Sequence, residues 1–200
     1  MDAAPPVPPI PIRLVLASSS PRRRDLLARL GVVPDRIASP DIDENPRPRE
    51  LPRAYALRLA EEKARAVNRA PHEAVIAGDT TIAVGRRILP PAVDEATQRA
   101  LLALLSGRRH HALSAVCVIA PDGRIRTRLS DTIVAFRPLT ARDIDAYVAC
   151  GEGLGKAGGY AIQGRAEAWV RFLAGSHSGV IGLPLFETRA LLAAAGVAFA

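Results

Sequence analysis

Residues 14–32, LVLASSSPRRRDLLARLGV, decide how the rest of the chain is read. The run 14–17 is apolar without polar alternation, as in a short buried strand. Residues 21–30 then carry apolar positions at helical spacing, with Pro21 suited to a first turn and Gly31 just past the end. The order strand, loop, helix sets the serines 18–20 and Arg22, Arg23 and Arg24 at a helix N-terminus. There the first backbone N–H groups lack helical partners and the macrodipole is positive, an arrangement that binds phosphate. Guanidinium groups add donors that grip phosphate oxygens in pairs. The competing reading makes Ser20 a plain N-cap and the arginines solvated.

Working outward, 51–70 reads as a second helix, with Pro52 in its first turn and a stripe at Leu51, Tyr55 and Leu59. Residues 74–85, AVIAGDTTIAVG, read as a buried strand interrupted by Asp79, and 94–105 as a third helix ended by Ser106 and Gly107. Two strands, 112–120 and 124–136, flank PDG, which is hairpin chemistry. Thr140, with Asp143 three residues on, opens another helix by a capping box. The glycine-rich 151–164, GEGLGKAGGYAIQG, reads as irregular and flexible, 166–175 as a strand and 184–195 as the last helix. Helices and strands alternate until a hairpin intrudes, so the expected fold is α/β with a mixed twisted sheet flanked by helices.

The chain has 200 residues, 48% of them hydrophobic, and no apolar run near the ~20 needed to cross a bilayer. No membrane partner is expected. Five prolines in residues 1–11, without a basic start and an apolar stretch, predict an extended tail rather than a secretory signal, followed by one domain over 12–200. Cys117 and Cys150 stand apart, which indicates neither a zinc site nor a disulfide framework and fits a reducing cytoplasm. The net charge of +7 fits either an arginine-rich solvated surface or an anionic partner, a nucleic acid or a phosphorylated small molecule. Nucleic acid is the weaker choice, because aromatic residues, which stack on bases, are 4% of the chain. Of 27 basic residues two are lysines, Lys63 and Lys156, and an ammonium and a guanidinium contact phosphate differently.

Two charged groups stand in apolar settings. Asp79 lies inside its strand, where a carboxylate must be paired, hydrogen-bonded or bound to metal. Lys63 lies on or beside the buried stripe of its helix, where it must snorkel or meet an anion.

The opening stretch resembles the Maf family of nucleoside triphosphate pyrophosphatases, once described as septum-formation inhibitors. DIDEN at 41–45, RLAEEKA at 58–64, AGDTTIAVG at 77–85, LLSGRRHHALSAVCVI at 104–119, GKAGGYAIQG from 155 and GVIGLPLFET to 188 follow that family's order over nearly the whole chain. The resemblance implies two lobes around a nucleotide cleft, a homodimer, and hydrolysis of a triphosphate to monophosphate and pyrophosphate. It implies Asp79 as general base or water-orienting carboxylate, Lys63 as catalytic lysine and Glu44 as metal or water ligand. Glu44 and Asp79 would hold a divalent cation, Mg2+ or Mn2+ with Co2+ as a substitute. Ser18, Ser20, Arg23 and Lys156 would bind phosphate.

Within that family, Arg22, Thr80 and Gln163 stand at the positions that set substrate choice. They resemble the branch acting on dTTP and UTP, with modified pyrimidine nucleotides as an extension, and not the 7-methyl-GTP branch with its tryptophan, glutamine and glutamate. The amide of Gln163 both donates and accepts, which suits the imide edge of thymine or uracil. Pro91 stands where the family usually has lysine, and proline offers neither charge nor N–H. That departure supports the alternative, a catalytically weak nucleotide-sensing regulator of septum formation.

Overall fold

The long strand β3 (Glu73–Val84) carries the sheet, because its small and β-branched residues are buried on both faces. The computed structural model describes residues 11–199, so all but the last residue of the proline-rich stretch lies outside the described residues. The other strands are β1 (Arg13–Leu16), β2 (Arg36–Ile37), β4 (Arg87–Leu89), β5 (Arg109–Ile119), β6 (Ile125–Phe136) and β7 (Val170–Ala174). They form one sheet in the order β2-β1-β3-β5-β6-β7, with β4 beside the end of β3. β1 pairs parallel with β2 and β3, and every other pairing is antiparallel, so the sheet is mixed as expected.

Two cores lie against its faces. On one, α2 (Pro52–Arg65) sets Ala56, Ala60 and Ala64 against Val75, Ala77, Ala115 and Cys117. Small side chains bring helix and sheet close together. The other face is covered by α1 (Pro21–Ala28), α3 (Glu95–Leu105), α4 (Ala141–Ala149), α5 (His177–Ile181) and α6 (Leu185–Ala194). α4 has the expected capping box, with Asp143 N donating to Thr140 Oγ1 and Thr140 N to Asp143 Oδ2 at 2.8 Å.

Several boundaries differ from the sequence reading. α2 ends at Arg65 rather than 70, since Pro71 lies close ahead and bars a continuing helix. Its buried line is Pro52, Ala56, Leu59, Ala60, Lys63 and Ala64, whereas Leu51 is 45% exposed. Strand β7 starts at Val170 because Arg165–Trp169 form a 3-10 turn that buries Trp169. The pieces β2, β4 and α5 are too short to show a period.

One feature of the sheet makes the site. β1 pairs with β3 only as far as Ile76, and β4 joins only from Ile82. Residues 77–81 therefore leave one edge of β3 without a neighbouring strand, beside the loop that enters α1.

Candidate active site

The pleat of β3 sends Asp79 and Thr81 toward α2, and Gly78 and Thr80 toward the opposite face. Lys63 projects from α2 into the same space as Asp79. Its Nζ donates to Asp79 Oδ1 at 2.9 Å and to Glu44 Oε2 at 2.8 Å. Thr81 Oγ1 donates to Asp79 Oδ2 at 2.9 Å, so both oxygens of the buried carboxylate are engaged. The pair Lys63–Asp79 is thus buried and hydrogen-bonded, while Glu44 stands at the solvent end with its side chain 55% exposed.

Glu44 belongs to an irregular loop that α2 holds in place. Tyr55 Oη donates to the Glu44 carbonyl at 2.8 Å, and Arg58 Nη2 to that of Asn45 at 3.2 Å. Arg58 also grips Glu50 through two hydrogen bonds of 2.7 Å, which hold the Glu50 carboxyl down to about 2. The Tyr55 phenol is pushed up to about 12 by burial and by the charges of Asp79 and Glu44.

Across the edge of β3 lies the cationic side. Ser20 caps α1 by position but makes no side-chain capping bond, which leaves its hydroxyl free toward the cleft. Ser18 is buried and organises the loop, its Oγ accepting from Ser20 N at 3.2 Å and Arg23 Nη1 at 3.0 Å. Arg23 Nε donates to the Gly182 carbonyl at 2.9 Å and Arg22 Nε to that of Ile181 at 3.3 Å. A Cβ at Gly78 would press on the Ala115 carbonyl oxygen at 3.1 Å and only touch Arg23 Nε at 3.4 Å. Burial lowers the pKa of both arginines, and for Arg23 the carboxylate of Asp79 opposes that fall. Arg24 does not join them; it is exposed and 3.8 Å from Asp25.

The glycine-rich segment closes the far wall of a cleft of about 190 Å3. Lys156 and Gln163 line it, and burial followed by the nearby Arg22 lowers the Lys156 pKa. Lys156 Nζ donates to the Glu152 carbonyl. Thr80 lines the cleft with its Oγ1 3.0 Å from Ser114 Oγ. Pro91 also faces it, bridged through the backbone to Ala157 beside Lys156. A more apolar side pocket of about 340 Å3 opens beyond Asp79 between Tyr55, Ile88 and Pro90.

The structure thus gathers Asp79, Lys63, Glu44, Ser20, Arg22, Arg23, Thr80, Lys156 and Gln163 around one cleft, with Ser18 behind it. Sequence reasoning missed Thr81, Tyr55, Arg58 and Tyr160. Thr81 was within reach of it, since a hydroxyl two residues from a strand carboxylate shares its face. Among the described residues no three His, Cys, Asp or Glu side chains converge. A divalent cation would have the two carboxylates Glu44 and Asp79, with water and phosphate oxygens completing its shell. That is a donor set suited to magnesium.

A cationic helix start facing a buried lysine–carboxylate centre is the arrangement of an enzyme that handles phosphate esters or anhydrides. Residues 13–195 match the family described as Maf-like protein, and the chain belongs to that family. It is 68% identical over 184 residues to a "dTTP/UTP pyrophosphatase" of Sphingopyxis alaskensis, covering 92% of this chain and 97% of that relative. A relative of the same name from Novosphingobium aromaticivorans is 60% identical over 185 residues, covering 92% of each chain. A solved nucleoside-triphosphatase, dITP/XTP pyrophosphatase of Mycobacterium abscessus is 22% identical with a TM-score of 0.40, over 62% of this chain and 73% of that one.

Proposed function

We propose that the chain hydrolyses dTTP and UTP to the monophosphate and pyrophosphate. The observation that carries the reading is the Lys63 ammonium bridging buried Asp79 and Glu44 at the open edge of β3, opposite Ser20, Arg22 and Arg23. The names of the relatives supply the substrate pair.

In this reading water attacks the α-phosphorus, the α–β anhydride bond breaks and pyrophosphate leaves. Asp79, fixed by Lys63 and Thr81, orients the water and takes its proton. Lys63 holds the carboxylate by its hydrogen bond and supplies positive charge beside the reacting phosphate. Arg23, Lys156 and the N–H groups of the 18–20 loop draw off the charge that builds on the leaving pyrophosphate. Arg22, Thr80 and Gln163 meet the nucleoside. Glu44 and Asp79 would hold a divalent cation, Mg2+ or Mn2+ with Co2+ as a substitute, which would neutralise the triphosphate and acidify the water. A homodimer, a cytoplasmic setting and the absence of a stable nucleic-acid partner belong to the same reading.

The test is pyrophosphate release from dTTP, UTP, CTP, GTP, ATP and 7-methyl-GTP with Mg2+ or Mn2+. Selective turnover of dTTP and UTP is expected, and Asp79→Asn should lower kcat by about 10²- to 10⁴-fold. Folded protein that hydrolyses none of them would replace this reading with the regulator that Pro91 suggests.

A further inference from the structure

His110 lies at the start of β5, fully buried, and none of the chemistry above uses it. Its Nε2 is 2.8 Å from Tyr160 Oη, and its Nδ1 has no hydrogen-bond partner among the described residues. A buried imidazole that reaches one partner is held neutral, and burial, with a smaller contribution from His111, brings its pKa down to about 4. Desolvating such a group is unfavourable, and the one bond that offsets it runs to a residue of the cleft.

Tyr160 is four residues after Lys156 and three before Gln163, and it lines the cleft. It follows Gly158 and Gly159, both left-handed with φ of 70° and 73°. Two such glycines impose little direction on the chain, so whatever anchors Tyr160 sets where Gln163 arrives. The anchor is built from the chain's few aromatic side chains. Phe136 meets the Tyr160 ring edge-on at 4.9 Å and His110 at 5.1 Å, and Trp169 packs on Phe136. The packing holds the ring's plane, and the backbone on either side is held by Gln98 on the Gly159 carbonyl and Tyr147 on Ala161 N, while the hydroxyl bond to His110 is the polar contact made by the ring itself.

We propose that His110 is a positioning residue for nucleotide selection, which through its buried hydrogen bond to Tyr160 sets the height of the wall carrying Lys156 and Gln163. The assignment rests on the hydrolase reading above. It concerns the nucleoside end of the substrate, so it separates from the chemistry at Asp79.

Steady-state kinetics on dTTP and dCTP test it, with wild type, Tyr160→Phe, His110→Leu and His110→Gln. Tyr160→Phe should raise KM for dTTP about 10-fold, the equivalent of one lost hydrogen bond, with a smaller change in kcat. The dTTP to dCTP ratio of kcat/KM should fall alongside. His110→Leu should reproduce both changes, and the double variant should be no worse than either single one. The Gln amide can occupy the place of Nε2, so His110→Gln should restore KM and the ratio to within about twofold of wild type. A folded Tyr160→Phe with unchanged KM and ratio overturns the proposal, and this variant with His110→Gln decides even where His110→Leu does not fold. Wild type that hydrolyses no nucleotide overturns the hydrolase reading itself, a result distinct from wild type that discriminates no better than its variants.

Discussion

Glu44 and Gln163 stand on opposite walls of one cleft, each on an irregular segment, and the two segments are held by different physics. The loop around Glu44 hangs on α2 by polar side chains: the Tyr55 hydroxyl, Lys63 on the Glu44 carboxylate, and Arg58 on Glu50 and on the Asn45 carbonyl. The segment before Gln163 is tied to the interior. Gln98 Nε2 donates to the Gly159 carbonyl at 3.2 Å, Tyr147 Oη accepts from Ala161 N at 2.9 Å, and His110 meets Tyr160. The hydrogen bonds to the Glu44 and Asn45 carbonyls are open to water and individually weak, whereas buried fastenings are expensive to break. Adjustability is thus on the side of Glu44 and rigidity on the side of selection.

Three measurements press on that contrast. Gly153→Ala attacks the rigid wall most directly, because a Cβ at 153 would come within 2.0 Å of the Gly159 carbonyl oxygen. The backbone must move, so a loss of about 3 kcal/mol and a Tm lowered by about 6–12 °C are expected in calorimetry.

The next largest effect concerns pH. The unfolded chain protonates His110 near 6.5 and the folded one not until about 4, so the unfolded state gains the extra proton as pH falls between those values. Stability that is complete above 6.5 is therefore lost on acidification, roughly 2 kcal/mol of it between pH 7 and pH 5. Urea unfolding at the two pH values should show this for wild type and less of it for His110→Gln. Equal slopes would mean that the imidazole is not held neutral.

The smallest effect on stability belongs to the polar wall. Tyr55→Phe removes the bond to the Glu44 carbonyl and should change stability by about 1 kcal/mol or less. Its kcat should fall several-fold with the dTTP to dCTP ratio unmoved. A shift in that ratio would mean that the two walls are not independent.

What could be read from the sequence follows the range of the interactions involved. The strand–loop–helix at 13–28 was legible because strand pattern, proline and closing glycine are neighbours. Asp79 and Lys63 were legible because a charge in an apolar run is conspicuous wherever its partner lies. Glu44 was legible only through family resemblance, since what fixes it sits 11 residues away on α2. The glycine-rich segment read as flexible because glycine permits many conformations. Its actual anchors are 14, 50 and 61 residues distant, and no local pattern announces them.

The open edge of β3 has a consequence for how the chain can change over generations. Asp79 and Thr80 are adjacent in sequence but serve opposite faces, so the number of residues between the end of the β1 pairing and Asp79 is itself part of the site. Inserting or deleting a single residue there would turn the hydroxyl toward Lys63 and the carboxylate toward Ser114, with every apolar neighbour reversed as well. Side chains along this stretch can be exchanged one at a time, but its length cannot be altered by one.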